Sequence, residues 1–141
     1  MPVALSNRVR KSGVPARAVR VVAQRLLEAV GRPDATLSLS LVDDAAIREL
    51  NRRFRGKDEP TDVLSFPLDE GDLLGDIAIS VETARRQAAD YDAPLEREIE
   101  RLLIHGILHL LGHDHLERDE RTRMEKEERR LATAIGMPWP Y

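Results

Sequence analysis

Alternation of apolar and polar residues predicts four strands. It is clearest in TLSLSLV, where Leu37, Leu39 and Leu41 alternate with polar side chains, as in a strand with one buried face. The segment TDVLSF also predicts a strand, which Pro67 should end, and the residues DEGD that follow predict a turn. The predicted strands are residues 3–9, 36–42, 61–66 and 73–81.

Apolar residues at helical spacing predict five helices, namely residues 15–31, 43–54, 82–90, 92–112 and 116–136. In the second helix, Ile47, Leu50 and Phe54 share one face. In the fourth, residues 102–111 are apolar all round except for two histidines and a glycine, which is typical of a helix buried on most sides. The order of elements predicts an α/β (α+β) fold with a small mixed four-stranded sheet packed against about five helices.

Composition narrows the class of protein. The chain has 141 residues, of which 42% are hydrophobic and 33% charged, so residues 1–141 are expected to form a single globular domain. It has no cysteine, which excludes disulfides and thiolate metal sites. The N-terminal residues lack an apolar signal region and no stretch reaches membrane-spanning length, so we expect a cytoplasmic protein.

Charge alone does not indicate a nucleic-acid-binding protein, because the formal net charge is −3. Two basic clusters stand out against this background, and either could be an ordinary solvated surface. The first cluster is Arg8, Arg10 and Lys11, and the second is Arg52, Arg53, Arg55 and Lys57.

All four histidines lie in the eleven-residue stretch HGILHLLGHDH. His105 and His109 are four residues apart and therefore share one face of a helix, while Gly112 allows the chain to turn so that His115 supplies a third nitrogen. Three histidines with an open position are typical of a catalytic zinc site, here at the end of a buried helix. We predict one Zn²⁺ per chain, although histidine ligands also suit nickel or copper.

The alternative is that these are ordinary buried histidines, each with its own polar partner. His113 does not match the ligand spacing and is expected to be peripheral. Asp114 either orients a ligand histidine or caps the last helix.

Gly106 occupies the position where zinc proteases of similar spacing carry a glutamate that acts as the general base. Glycine inside a helix is unfavourable by about 1 kcal/mol relative to alanine, so the position needs a compensating role. Room beside the metal is the interpretation that the sequence favours. Ordinary peptide hydrolysis loses its main base here.

Three motifs in order resemble the YbeY family, the bacterial endoribonucleases of ribosomal RNA maturation. They are LNRRFRGKDEPTDVLSFP, LGDIAIS and HGILHLLGHDH, which together run from about Leu50 to His115. Gly106 matches the family as well. The resemblance implies an α/β fold with a small mixed sheet, and it implies that His105, His109 and His115 are zinc ligands and that Arg55 is important for activity.

The resemblance also implies a substrate and partners. These are single-stranded RNA, specifically the small-subunit (16S) ribosomal RNA during maturation of its 3′ end, and the ribosome or its proteins during ribosome quality control. Two rival functions stay open: a zinc-dependent peptidase or amidase, and a non-catalytic ribosome-assembly factor with a structural zinc.

Metal-assisted cleavage of RNA needs groups that stabilise charge on the phosphate. Arg55 offers a planar fork of donors for phosphate oxygens, and Lys57 is a further candidate for binding RNA phosphate. The remaining candidates are less specific. They are Asp76 and Asp114 as general bases, Thr61, Asp62 and Ser65 as residues that shape the cleft, and Phe54, Phe66 and Tyr91 as base-stacking aromatics, of which the two phenylalanines look like core residues.

Overall fold

The computed structural model describes residues 3–9, 13–113 and 117–139. Four strands and five helices make up this part of the chain, which confirms the predicted fold class. In chain order they are β1 (Val3–Asn7), α1 (Ala16–Ala29), β2 (Thr36–Val42), α2 (Asp44–Arg55), β3 (Val63–Glu70), β4 (Leu73–Ser80), α3 (Val81–Asp90), α4 (Leu95–Leu110) and α5 (Arg118–Ala134).

The strands form one mixed sheet in the order β1-β2-β4-β3. β1, β2 and β4 are parallel neighbours, whereas β3 is antiparallel to β4 and lies at an edge of the sheet. Helix α1 connects the parallel strands β1 and β2, as parallel pairing requires a crossover. Strand β3 instead reaches β4 through a tight turn at Gly71 and Asp72.

Strand β3 differs from its prediction. Pro67 does not end it, because the strand continues through Pro67 to Glu70, and only the last two residues of DEGD form the turn. Proline lacks the N–H that an inner strand needs, but an edge strand tolerates it. Pro67 lies opposite Gly75 of β4 and occupies such an edge.

The sheet has two faces of different character. On the first, which we call the helix-packed face, Leu37, Leu39 and Leu41 of β2 are completely buried together with Ile79 of β4. Helices α1, α4 and α5 contribute buried apolar residues to the same cluster. This face therefore contains the main hydrophobic core.

The opposite side, which we call the open face, is covered only in part by α2. A small cluster of Val42, Ile47 and Leu64 joins the helix to the sheet. Phe54 shares a helical face with Ile47, yet its side chain is 60% exposed, so its predicted place in the core is wrong. It stands seven residues beyond Ile47, in the last turn of α2, where the ring of Phe66 packs against it edge to face.

Within the described residues, no helix has both the length and the apolar character that a membrane span requires.

Candidate active site

Helix α4 brings the first two predicted metal ligands together. His105 and His109 are one turn apart, and their Nε2 atoms approach to 3.0 Å with the rings nearly edge to face. Both side chains are partly buried, whereas the residues between them, including Ile107 and Leu108, are buried in the core. The helix therefore presents two imidazoles beside the apolar stripe that packs it on the sheet.

The spacing of the two nitrogens fits a shared metal ion. Ligand nitrogens bound to zinc at about 2.0–2.1 Å in a tetrahedral site are about 3.3 Å apart, and the 3.0 Å separation is close to this. Among residues 3–9, 13–113 and 117–139, no group of three metal-binding side chains comes together. His115, the third predicted ligand, and Asp114 lie outside these described residues.

Gly106 is buried against the sheet. A Cβ atom there would stand 3.0 Å from Cδ1 of Ile77 and 3.2 Å from Oγ of Ser65, and the Ser65 hydroxyl donates a hydrogen bond of 3.2 Å to the Gly106 carbonyl. The structure thus supplies a reason for glycine that differs from the predicted room beside a metal. The missing side chain lets α4 approach strands β3 and β4 closely.

A second glycine acts in the same contact. A Cβ on Gly75 would lie 2.5 Å from the carbonyl oxygen of Phe66 and 2.8 Å from Cδ2 of Leu110, and its φ of +152° strains any other residue. Since the Phe66 oxygen belongs to the backbone, it cannot move aside as a side chain does. The glycine of LGDIAIS therefore sets how closely the edge strand and the histidine helix pack.

Arg55 comes from the other side of β3. It is the last residue of α2, which ends because Gly56 adopts φ +69°, a conformation natural to glycine. Its Nη2 donates to the Ser65 carbonyl at 3.1 Å, which draws the guanidinium towards the edge strand. The following loop is fixed by buried Asn51, whose Nδ2 donates to the Glu59 carbonyl at 2.9 Å.

These elements enclose a cavity of about 360 Å³, which we call the histidine cleft. The residues that line it are Arg55, Thr61, Asp62, Val63, Ser65, Pro67, His105 and His109. Of the residues predicted to take part, it therefore unites two histidines, the arginine and the three residues expected to shape the cleft. Lys57 is exposed in the loop after α2 and does not line the cleft, so its contact with RNA stays a prediction.

Asp62 lines the cleft and is held there by hydrogen bonds from Val63 and Gln87. Its Oδ1 accepts from the backbone N–H of Val63 at 2.7 Å, and its Oδ2 accepts from Nε2 of Gln87 at 3.3 Å. These bonds connect the start of β3 to α3. They give Asp62 a structural role at the wall of the cleft.

Asp76 is not in the histidine cleft. Its neighbour Ile77 faces α4, so strand alternation turns Asp76 to the open face, where it lies opposite Phe66 and Ser38. There it lines a second cavity. This placement removes Asp76 as a candidate base in the cleft. His113 lines another cavity, beside Glu120 and Arg123, as its peripheral prediction requires.

Helix α2, which carries Arg55, is attached at its other end by Asp44. One carboxylate oxygen accepts from the hydroxyls of Ser80 and Thr83, each at 2.6 Å, and the other accepts from Nη2 of Arg86 at 2.9 Å. Burial by itself would raise the pKa of Asp44, but these three bonds and the charge of Arg86 outweigh it, and the pKa is lowered. The carboxylate thus ties α2 to β4 and α3.

Comparison with known proteins gives a family match over most of the chain. Residues 4–136 match the family described as "Endoribonuclease YbeY". A relative of that name from an Anaeromyxobacter species is 47% identical over 97% of this chain and 73% of its own length. Others from Desulfitobacterium hafniense and Syntrophotalea carbinolica are 52% identical over 74% of both chains and 43% identical over 93% of both chains.

A solved structure shares the fold. The solution structure of a protein from Thermotoga maritima superimposes with a TM-score of 0.63 and 29% sequence identity, and the match covers 94% of this chain and 91% of that one.

Proposed function

The chain belongs to the YbeY family of endoribonucleases, and from that premise we propose that it is a zinc-dependent endoribonuclease that cleaves single-stranded RNA. We further propose that its substrate is 16S ribosomal RNA during 3′-end maturation and ribosome quality control in the cytoplasm, with the ribosome or its proteins as partners. The observation that carries the proposal is one cavity lined by His105, His109 and Arg55.

The histidine pair supports the metal part of the proposal. With His115 as the third ligand, His105 and His109 would hold one zinc ion and leave a position open. Zinc in such a site polarises a bound oxygen and lowers the pKa of bound water to about 7. Because no cysteine is present, imidazole and carboxylate are the only strong protein ligands available.

Arg55 supports the phosphodiester part. A guanidinium has five N–H donors, so the bond to the Ser65 carbonyl leaves donors for a phosphate in the cleft. As cleavage proceeds, negative charge grows on the oxygens bound to phosphorus, and a fixed cation beside them stabilises it. Asp62 and Ser65 also line the cleft, but neither carries a positive charge.

The proposed specificity for single strands rests on the resemblance to the family. The nucleophile is either zinc-bound water or the 2′-hydroxyl of the RNA. A product ending in a 2′,3′-cyclic phosphate identifies the hydroxyl.

The test is cleavage by the purified chain. Single-stranded RNA, the same sequence as a duplex, and casein are each incubated with protein, with EDTA and with EDTA followed by zinc. We expect only the single-stranded RNA to be cut, with loss in EDTA and recovery with zinc. Digestion of casein instead supports the peptidase. Cleavage of nothing, together with rescue of ribosome maturation in cells by a folded metal-free variant, supports the assembly factor.

A further inference from the structure

A second cavity, of about 480 Å³, lies on the open face of the sheet, and we propose that it binds the stretch of single-stranded RNA adjoining the one in the histidine cleft. We call it the open-face groove. Its lining residues are Arg8, Ser38, Ser40, Val42, Leu50, Phe54, Phe66, Asp76, Ile77 and Ala78. The inference deepens the proposed function, because it presumes that RNA is the substrate.

The floor of the groove is a strip across three strands, with polar residues on β2 and β4 and an aromatic one on β3. Ser38 of β2 lies opposite Asp76 of β4, which in turn lies opposite Phe66 of β3, and Ser40 forms the next position along β2. The side chains of Ser38, Ser40 and Asp76 are partly accessible. The side chain of Phe66 is partly covered because it packs against the cluster under α2. Hydroxyls and a carboxylate accept hydrogen bonds from the amino groups of bases, and the hydroxyls also donate.

One wall of the groove is aromatic. Phe54 exposes 60% of its side chain and meets Phe66 edge to face, with 5.4 Å between ring centroids. Aromatic rings that stand open beside a polar floor are the platforms on which proteins stack the bases of single strands. The guanidinium of Arg53 lies 5.9 Å from the centroid of the Phe54 ring and adds a cation to that wall.

Positive charge lies at the rim rather than on the floor. Arg8 lines the groove beyond the end of β1, and Arg53 stands at the opposite wall beside Phe54. Two other cations of α2 are paired with carboxylates, Arg48 with Asp58 at 2.9 Å and Arg52 with Glu49 at 2.6 Å. Phosphates at the rim and bases on the floor would thus each meet groups of suitable chemistry.

The groove adjoins the histidine cleft, because α2 and β3 each contribute neighbouring residues to both cavities. In α2, Phe54 lines the groove while the next residue, Arg55, lines the cleft. In β3, Ser65 lines the cleft while the next residue, Phe66, lines the groove. Since β3 is an edge strand, a single strand of RNA that crosses β3 would pass from one cavity to the other. The adjacency of the two cavities favours one extended RNA strand as the occupant.

The groove suits RNA better than a polypeptide segment. A docked peptide is anchored by apolar side chains in pockets or by main-chain bonds to a sheet edge. The floor here is formed by Ser38, Ser40 and Asp76 in the middle of the sheet, where the strands already pair with one another. Most apolar lining residues, namely Val42, Leu50, Phe54 and Phe66, lie on the side of α2, and Ile77 and Ala78 add apolar surface on β4.

The test measures affinity apart from cleavage. Binding of a fluorescein-labelled single-stranded oligo(A) of about twelve nucleotides, a length within known site sizes, is followed by anisotropy in EDTA. The variants are Phe54→Ala, Phe54→Leu and Phe54→Trp. Val21→Ala is the matched control, because Val21 is a similarly exposed apolar residue that lies on α1, at the helix-packed face.

We expect Phe54→Ala and Phe54→Leu to raise the Kd for oligo(A) about tenfold, the effect of one lost stacking contact. Phe54→Trp and Val21→Ala should bind as the parent protein does.

Unchanged oligo(A) binding in Phe54→Ala would overturn the inference, and so would parent-like binding by Phe54→Leu, which keeps the apolar area without the ring. If Phe54→Ala abolished ribosome maturation in cells but bound oligo(A) as the parent does, the groove would be assigned to a protein partner. That result would also overturn the inference. Failure of the proposed function looks different: the parent protein would bind oligo(A) through Phe54 but would not cut it with zinc restored.

Discussion

The two faces of the sheet are built by alternate residues of the same strands, yet they are held in different ways. On the helix-packed face, leucines and isoleucines are buried under α1, α4 and α5. On the open face, α2 rests on a small apolar cluster and is fixed by the polar bonds of Asp44, while serines and Asp76 stay accessible. The first face provides stability, and the second leaves surface for binding.

The histidine cleft lies where the two faces meet. Strand β3 is the edge of the sheet, so α4 packs on one side of it while the end of α2 reaches it from the other. His105 comes from the stable side and Arg55 from the sparsely packed side. The geometry of the cleft therefore depends on both faces, and each can be perturbed separately.

The largest expected effect is a difference in the loss of stability between substitutions at two neighbouring residues of β2. Leu39 is 0% exposed on the helix-packed face, so Leu39→Ala should lower the free energy of unfolding by about 4 kcal/mol through lost burial and a residual cavity. Ser38 faces the open side, and Ser38→Ala should change it by less than about 0.5 kcal/mol. Urea denaturation measures both, and equal losses would contradict the difference between the faces.

Arg55→Glu should affect chemistry more than stability. Arg55 is exposed at the end of α2 and donates one hydrogen bond to a backbone carbonyl, so the free energy of unfolding should fall by no more than about 1.5 kcal/mol. Loss of a donor that stabilises the transition state raises the barrier by about 3 kcal/mol, or more than 100-fold in rate. Cleavage of single-stranded RNA under single-turnover conditions measures this.

The control for Arg55→Glu is Arg129→Glu, which makes the same change of charge at an exposed position on α5. It should cleave RNA as the parent protein does. Equal rates for Arg55→Glu and the parent would remove Arg55 from the proposed mechanism. Equal losses of rate in Arg55→Glu and Arg129→Glu would show that the effect comes from the net charge of the protein.

Asp44→Asn should weaken the attachment of α2 to β4 and α3, and the resulting loss of stability should depend on pH. Because the folded-state pKa of Asp44 is lowered from 3.8, its stabilisation is fully present above that pH and is lost as pH falls through the lower folded-state value. We expect the variant to lose about 2 kcal/mol of unfolding free energy at neutral pH. The gap between variant and parent should shrink below pH 3.8.

Urea denaturation at neutral pH and at about pH 3 measures this gap. Asp34→Asn, at an exposed turn before β2, is the matched control and should show little loss at neutral pH. A gap for Asp44→Asn that stays constant with pH would show that the carboxylate charge does not hold α2.

Local patterns were sufficient for most of the elements. The alternation in TLSLSLV and the helical spacing around His105 are properties of neighbouring residues, so they predicted β2 and the approach of His105 to His109 correctly. The same rules could not show that β3 lies at an edge, because strand order depends on pairing between distant residues. The sequence therefore predicts that the strand ends at Pro67, whereas β3 continues to Glu70.

Residues whose role depends on a neighbour across the fold were also missed. Gly106 is small because Ile77 and Ser65 lie against it, and neither is near it in sequence. Phe54 follows Ile47 at helical spacing, as a core residue would, but α2 covers only part of the sheet and leaves Phe54 exposed. In both cases the partner, and not the local pattern, decides the role.

Metal analysis of freshly purified protein tests the central proposal most directly. The parent chain is compared with His105→Ala, His109→Ala and His113→Ala, the last being a histidine of the same segment that lines a different cavity. We predict about one zinc per chain in the parent and in His113→Ala, as one three-histidine site requires. The His105 and His109 variants should retain less than about a tenth of it. Full zinc occupancy in folded His109→Ala would contradict the account.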